Sequence, residues 1–436
     1  MSRPDTVVIL AAGQGTRMKL GGPKVLAPLC GRPMIAWALD QALALEPQRI
    51  LVVIGHGGEQ VREVVEALDT SGRVRCVEQL EQLGTGHAVQ MCLPELGEDP
   101  GVVCLLYGDM PVLAASSISA LCALQATTNG GAAILTSSPL DPRGFGRIVR
   151  DASGALASIV EEKDASEEQR AIREVNLGVY AFPGAELVRL LPLLSKDNAQ
   201  GEYYVTDVIA ALVGEGRSVE ALGVDDEAEA IGVNTLSHLA EARFELQMRI
   251  LEQHMAAGVR IEDPASTYID HGVTIGAGTT ILPCTVIRGG VTIGEHCEVG
   301  PFTHVRPGSV LEEGAEIGNF TEAKNSRLGA HSKAKHLSYL GDAQIGERVN
   351  IGAGTIFANY DGKTKQSCFV ERGGFIGSGT VLVAPARVGE GATTGAGAVV
   401  TRGSEIPAGD TWVGVPARPI TRGAARKSST NPSTGA

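Results

Sequence analysis

Large aromatic side chains are scarce in this chain, with 8 Phe, 7 Tyr and 2 Trp among 436 residues. A core with so few large plugs has to be closed by aliphatics packed across short distances. Long apolar runs are missing too. None approaches the roughly 18 residues that span a bilayer, so no membrane insertion is expected. The opening stretch MSRPDTVVILAAG has no charged region followed by a cleavable apolar segment, so no signal peptide is expected. Basic charge is in deficit: 37 Lys and Arg stand against 50 Asp and Glu, net −13. A nucleic-acid partner is thereby disfavoured, because binding a phosphate backbone needs a basic surface. Eight cysteines (30, 76, 92, 104, 122, 284, 297, 368) form no C-x-x-C pair. They read as reduced core thiols in a cytoplasmic protein, against a disulfide framework or a zinc site.

What is abundant is glycine, 56 residues in a chain long enough for two or three domains. Soluble proteins average ~7% glycine, and the excess here points to a turn-dense repeat. Over residues 1–230 short apolar runs alternate with amphipathic segments. Thr6–Ala11, Ile50–Ile54, Val102–Leu106, Ala132–Leu135 and Val175–Phe182 read as strands; Met34–Leu45, Glu59–Leu68 and Gly86–Leu93 read as helices. Alternation of this kind predicts a mostly parallel sheet covered on both faces, with ligands at the carboxyl ends of the strands. Residues 235–257 lack Gly and Pro and place Leu236, Leu239, Arg243 and Leu246 on one stripe. They predict a helical connector ending at Gly258.

From Ile269 onward every sixth residue is aliphatic: Ile269, Ile275, Ile281, Ile287, Ile293, Val299, Val305, Leu311 and Ile317. The phase slips after Ala323, resumes at Leu328, slips again towards Ile345 and Ile351, and returns at Val370, Ile376, Leu382 and Val388. One inward aliphatic per six residues, followed by glycine and small residues, suits a parallel β-helix. The pattern resembles the hexapeptide-repeat, left-handed β-helix acyltransferases. Polar Asn359–Gln366 breaks the phase and predicts a projecting loop. The tail after Ile420 predicts disorder.

Chemistry concentrates in two places. Leu10-Ala11-Ala12-Gly13 leads into Gly15 and Arg17 directly after the first strand, with Lys24 close behind. Gly13 and Gly15 let backbone N–H groups approach an anion, while Arg17 and Lys24 neutralise a polyphosphate. This is no Walker loop, because no G-K-[ST] follows it, and no dinucleotide fingerprint, because the third glycine is absent. These residues, with Gln79, Gly84-Thr85-Gly86, Tyr107-Gly108-Asp109, Gly146-Arg147, Glu161, Asn176 and Asn234 in order, resemble the sugar-1-phosphate nucleotidyltransferases. Together with the blocks E-Q-L-G-T-G-H, N-A-Q-G-E-Y-Y and H-L-S-Y-L-G-D-A, residues 6 to about 400 resemble one family in particular. It is that of the bacterial bifunctional N-acetylglucosamine-1-phosphate uridylyltransferases/glucosamine-1-phosphate acetyltransferases.

The resemblance implies an α/β nucleotidyltransferase domain, Rossmann-like with a mostly parallel sheet, over residues 1–234. A helical linker over 235–258, a left-handed parallel β-helix acetyltransferase domain over 259–420 and a disordered tail over 421–436 follow. It implies that Leu10 to Gly13, Lys24, Gln79, Gly84, Thr85, Tyr107 and Gly108 hold the uridine nucleotide UTP. Asp109 and Asn234 bind Mg²⁺, and Gly146, Glu161 and Asn176 contact the sugar of N-acetylglucosamine-1-phosphate. Arg17 and Lys24 would assist transfer of the uridylyl group with release of pyrophosphate. In the repeat, Arg306 and Lys324 would anchor glucosamine-1-phosphate. His336 would act as the general base, since an amine attacking a thioester must lose a proton. Tyr339 and Asn350 would place the amino sugar. Ala353, Asn359, Tyr360, Ser378 and Ala396 would contact acetyl-CoA. A homotrimer supplying peptidoglycan and lipopolysaccharide precursors is implied as well. Three positions depart from the pattern: the first coils are short by about one turn, Leu177 replaces a threonine, and Gly414 stands where a basic residue is expected, with Arg418 nearby. The alternative is a sugar-1-phosphate nucleotidyltransferase of single activity whose β-helix is structural or regulatory.

Overall fold

The computed structural model describes residues 3–13, 15–19 and 21–420, apart from the side chain of Thr16. The tail expected to be disordered, 421–436, lies outside the described residues. The chain divides into two compact units, Met1–Leu246 and Gln247–Ala436.

In the first unit strand Thr6–Leu10 lies between Arg49–Ile54 and Val102–Tyr107, parallel to both, and Val74–Glu78 extends the parallel set beyond Arg49–Ile54. On the other side Val175–Pro183 runs antiparallel between Val102–Tyr107 and Ala133–Ser137, and Glu220–Gly223 closes that edge. Side chains alternate across the sheet as period-two geometry requires. Val7, Ile9, Ile50 and Val52 pack into a cluster with Ile35, Leu39, Val61 and Ile118. Val8, Leu10, Leu51 and Val53 face Val89, Leu187, Val208 and Leu212 on the opposite side. Both faces are therefore dry, which explains the unbroken apolar runs in the sequence.

The second unit is a left-handed β-helix. Three sheets of 10, 8 and 8 short strands rise coil by coil, each complete coil giving one strand to each sheet; all pairs are parallel except the terminal antiparallel pair Thr411–Val413 with Arg418–Pro419. Of the hexad aliphatics, Ile269, Ile281, Ile287, Val299 and Val305 are fully buried. Small Thr and Ser hydroxyls beside them donate across to the next coil, as Thr279 Oγ1 does to Gly294 O at 2.8 Å. Every sixth backbone between Gly272 and Phe320 has positive φ: Gly272, Gly278, Cys284, Gly290, His296, Phe302, Gly308, Gly314 and Phe320. These are the prism corners. The glycines following the inward aliphatics serve another purpose, since a Cβ on Gly276 would lie 2.5 Å from Glu295 N of the coil above.

Both phase slips have a structural cause. Glu316 pairs with Lys333 and Lys333 with Asn350, so two coils are one residue shorter than their neighbours. The break at Asn359–Gln366 is a loop closed by the Gln366 N–H to Asn359 O bond at 2.8 Å and by the pairing of Tyr360 with Lys365.

Helix Leu236–Ala256 occupies the stretch expected to be helical, and Gly258 follows it with φ +91°. Its buried stripe differs from the expected one: Leu236 is 56% exposed, while Ala242, Leu246 and Ile250 are buried. Leu236 lies outside the buried face, Leu239 is half-buried, and full burial begins at Ala242.

Candidate active sites

Four parallel strands end side by side, and their exits build the first site. Ala11 N donates to Val53 O, Gln79 N to Ile54 O and Gly108 N to Leu10 O, at 2.8, 2.8 and 2.9 Å. The cleft beyond them, about 300 Å³, is lined by Leu10 to Gly13, Lys24, Gln79, Gly84, Thr85, Tyr107 and Asp109, all anticipated from the sequence. Gln82 and Glu202 line it too and were not anticipated. Gln82 Nε2 donates to Ala12 O at 2.6 Å, and Gln79 Nε2 to Gly84 O at 3.1 Å. The block around Gly84 is laced to the block around Tyr203: Gly86 N donates to Tyr203 O at 2.7 Å and Tyr203 N to Leu83 O at 2.8 Å. That lacing requires glycine at 84, where φ is +108° and a Cβ would sit 2.5 Å from Tyr203 O.

At the mouth of this cleft Lys24 Nζ meets Asp109 Oδ2 at 2.5 Å and Asn234 Oδ1 at 3.0 Å, and Arg17 Nη2 reaches the same Asn234 oxygen at 3.1 Å. Lys24 is 7% exposed, so its charge acts with little screening by water. Gly15 makes this possible: a Cβ there would lie 2.4 Å from Lys24 Cβ. Two hard oxygen donors from Asp109 and Asn234 thus already converge on one cationic nitrogen. Among the described residues no three His, Cys, Asp or Glu side chains gather to cage a metal by themselves.

A second pocket of about 320 Å³ shares Thr85, Tyr107, Asp109 and Glu202 with the first and continues to Gly146, Glu161, Asn176 and Asn234. Burial pushes the Glu161 carboxyl up, and Asp164, Asp207 and Glu202 add to this, against a hydrogen bond from Thr206. Burial likewise raises the Tyr107 phenol, with Glu161 and Asp109 adding to it. Asn176 spans a bulge: its Nδ2 donates to Tyr180 OH at 2.6 Å and its Oδ1 accepts from Gly178 N at 2.9 Å. One amide hydrogen and one lone pair are left over for a ligand. Leu177 also lines this pocket. Arg147, only 1% exposed, pairs with Glu162 at 2.7 Å and so ties down the hairpin that carries Gly146 and Glu161.

In the β-helix the anticipated residues fall into columns. His336, Ala353, Ser378 and Ala396 occupy equivalent corner positions on four successive coils, linked by Gly354 N to His336 O (3.4 Å), Gly379 N to Ala353 O (2.7 Å) and Gly397 N to Ser378 O (2.8 Å). Along this edge the corner changes character at His336. Phe302 and Phe320 stand exposed on the two coils before it and Leu337 on its own coil, and Gly354, Gly379 and Gly397 follow after it. The later coils therefore offer a shallow track of small residues leading away from the imidazole. Arg306 and Lys324 stack on the sheet that follows this corner, with Tyr339 on the same sheet. Lys365, from the projecting loop, comes close enough to Lys324 to lower that ammonium, together with its partial burial and the charge of Arg306. Lys365 was not anticipated; it lies in a phase break where hexad periodicity carries no information. Asn350 lies on the preceding sheet, paired with Lys333 and Phe375. One chain thus does not put it on the face of Arg306 and Lys324. Asn359 is buried and donates to Asp342, while Tyr360 is 58% exposed.

At the far end Gly414 has φ +88° in the turn between Thr411–Val413 and Arg418–Pro419. That conformation favours glycine at the position where the resemblance implies a basic residue. Arg418 is exposed beside it.

A family model described as the MobA-like NTP transferase domain matches residues 7–176. A curated relative from Thermobifida fusca, a bifunctional protein GlmU, is 45% identical over 445 residues, spanning 94% of this chain and 91% of the relative. Proteins of the same name from Dechloromonas aromatica and a Geobacillus species are 47% and 44% identical, spanning 91% and 90% of this chain and 93% and 92% of the relatives.

Proposed function

Because this chain belongs to the family of the bifunctional GlmU proteins, we propose how its two clusters divide the work of UDP-N-acetylglucosamine synthesis. The chain is a bifunctional enzyme, a glucosamine-1-phosphate acetyltransferase and an N-acetylglucosamine-1-phosphate uridylyltransferase. Residues 1–234 carry uridylyl transfer, 235–258 link, and 259–420 carry acetyl transfer. The observation that bears most weight is the convergence of Lys24, Asp109, Asn234 and Arg17 at the ends of parallel strands.

In uridylyl transfer the sugar-phosphate oxygen attacks the α-phosphorus of UTP and pyrophosphate leaves, so the protein supplies positioning and charge and no nucleophile. The cleft from Leu10 to Thr85 holds the nucleotide. The adjoining pocket with Gly146, Glu161 and Asn176 holds the sugar, and the two share Tyr107 and Asp109. Lys24 neutralises the phosphates from a site with little water, and the exposed Arg17 adds its charge at the rim. Asp109 and Asn234 fit Mg²⁺: one carboxylate and one carbonyl oxygen, completed by substrate phosphates, is the donor set this ion takes. When bound, the ion withdraws charge from the phosphate oxygens.

In acetyl transfer His336 takes the proton of the sugar amine as its nitrogen attacks the thioester carbonyl, and the coenzyme A thiolate leaves. Arg306 and Lys324 hold the phosphate, Tyr339 flanks the sugar, and Asn359 with Tyr360 borders the donor. The column Ala353, Ser378 and Ala396 gives acetyl-CoA a track of small residues. The exposed Phe302, Phe320 and Leu337 ridge and the placement of Asn350 on another sheet support a homotrimer in which a neighbouring subunit completes the site. No helix among the described residues is long and apolar enough to cross a membrane. That all eight cysteines stand outside any disulfide supports a cytoplasmic enzyme.

The test follows both reactions on one preparation. Glucosamine-1-phosphate plus acetyl-CoA should release free thiol, and N-acetylglucosamine-1-phosphate plus UTP and Mg²⁺ should release pyrophosphate. His336→Ala should abolish only the first. Thiol release that persists in His336→Ala would overturn the assignment of the base.

A further inference from the structure

One edge of the β-helix departs from the glycine pattern. Its early corners are Gly272, Gly290 and Gly308, but the next two are Asn325 and Asp342 with φ +48° and +49°, and Asn359 follows in the same column. Asp342 and Asn359 are 7% and 6% exposed. Asp342 Oδ1 accepts from Asn325 Nδ2 at 2.6 Å, and Asp342 Oδ2 accepts from Asn359 Nδ2. Asp342 N donates to Lys324 O at 3.0 Å. Burial alone would push this carboxyl up, yet the two amides and the Lys324 and Lys365 ammoniums hold it below the ordinary carboxylate range.

The coils do not need this charge. Glycine turns the same edge three times in the coils below, and burying a carboxylate is costly unless its partners repay it. An ionised carboxylate only accepts hydrogen bonds. The Asn359 amide must therefore turn its NH₂ inward, and its Oδ1 points away from Asp342. Gly341 keeps the assembly flat, because a Cβ there would lie 2.6 Å from the Tyr339 ring and 2.8 Å from the Asn359 carboxamide. The aspartate thus sits behind residues assigned to both substrates: Lys324, Tyr339 and Asn359.

We propose that Asp342 is a positioning residue for acetyl transfer, fixing Asn359 so that its Oδ1 accepts from an N–H of the bound substrates. This rests on the acetyltransferase reading above. The N–H belongs either to the sugar amine or to an amide of the coenzyme A arm, and kinetics separate the two. A rise in the KM for glucosamine-1-phosphate or a fall in kcat points to the amine; a rise in the KM for acetyl-CoA points to the arm.

The experiment is a double-mutant cycle on the full chain with acetyl and uridylyl transfer both measured. Asp342→Asn should lower kcat/KM for acetyl transfer about tenfold or more and leave uridylyl transfer unchanged. Asn359→Asp, which sets two carboxylates face to face, should lose at least as much. Combining the two exchanges donor and acceptor and still presents an oxygen at 359, so the double variant should exceed the worse single variant about tenfold. Wild-type acetyl transfer in Asp342→Asn, strictly additive losses in the double variant, or equal loss of both activities in Asp342→Asn would each overturn the proposal. Absence of sugar-dependent thiol release in the unaltered protein would instead remove the acetyltransferase reading beneath it.

Discussion

Gly15→Ala should disable uridylyl transfer through a lysine nine positions along the chain. Gly15 sits at φ +62°, and the added Cβ would lie 2.4 Å from Lys24 Cβ and 3.2 Å from Lys24 Cγ. The left-handed backbone alone costs an alanine about 1–2 kcal/mol. The steric conflict cannot be relieved at a flexible tip, because the atoms met are the root of the lysine side chain. Either the loop or Lys24 must shift by a fraction of an ångström or more, and the contacts at 2.5 Å to Asp109 and 3.0 Å to Asn234 then lengthen. Removing one preorganised group that faces developing charge typically costs about 10²–10³ in kcat. We expect a loss of that size in pyrophosphate release, most of it in kcat, with acetyl transfer from the same preparation unchanged. Gly13→Ala is the contrast. Its Cβ would meet nothing within 4 Å and would project into open space at the cleft, so it should raise the KM for UTP and spare the ligand-free loop. Steady-state pyrophosphate assays on both variants decide. A Gly15→Ala enzyme with wild-type kcat would refute the claim that this glycine exists to admit Lys24.

Other consequences follow from single atoms. Gly341→Ala drives a Cβ against the Tyr339 ring and the Asn359 amide, so thiol release should fall at least about tenfold while pyrophosphate release stays constant. Because burial raises Glu161, the native protein binds that proton more tightly than the unfolded chain does. Its stability contribution is therefore lost as pH rises from the ordinary carboxylate pKa through the raised value. Glu161→Gln should accordingly melt higher than the parent near neutral pH, lose that advantage near about pH 4, and show a raised KM for N-acetylglucosamine-1-phosphate; thermal scans at the two pH values test this. Arg418→Ala should raise the KM for acetyl-CoA by about two- to fivefold, the worth of one exposed ion pair, and the effect should fade with salt. An unchanged KM would leave coenzyme A without a cation at this end of the β-helix.

Much of this molecule is written in local pattern. A coil of six-residue steps needs one inward aliphatic per step, so the hexads from Ile269 to Ile317 could be counted without coordinates, and so could the interruption at Asn359–Gln366. The parallel strands were legible for a related reason: sheets dry on both faces require unbroken runs such as Thr6–Leu10. Cleft residues tied to glycine turns or to a strand's carboxyl end, such as Gly13, Lys24 and Asp109, were within reach as well, because backbone constraint and charge must appear together there. The helical stripe was misjudged at Leu236, because amphipathic spacing says nothing about where a partner surface begins.

The amino-acid sequence by itself determined the two architectures, and it offered the glycine loop after the first strand and the H-L-S-Y-L-G-D-A block as candidate sites, since each depends on neighbours along the chain. Only the tertiary structure decided which groups touch across a hundred residues or more. Asn234 meets Lys24 and Arg17, and Tyr203 locks Gly84. The coil register stacks His336 over Ala353, Ser378 and Ala396, and it sets Asp342 between Asn325 and Asn359. A buried carboxylate and its amide partners carry no periodic signature. Their pairing comes from strands closing side by side and from corners that lost one residue, and these are properties of the folded coil and not of any segment of it.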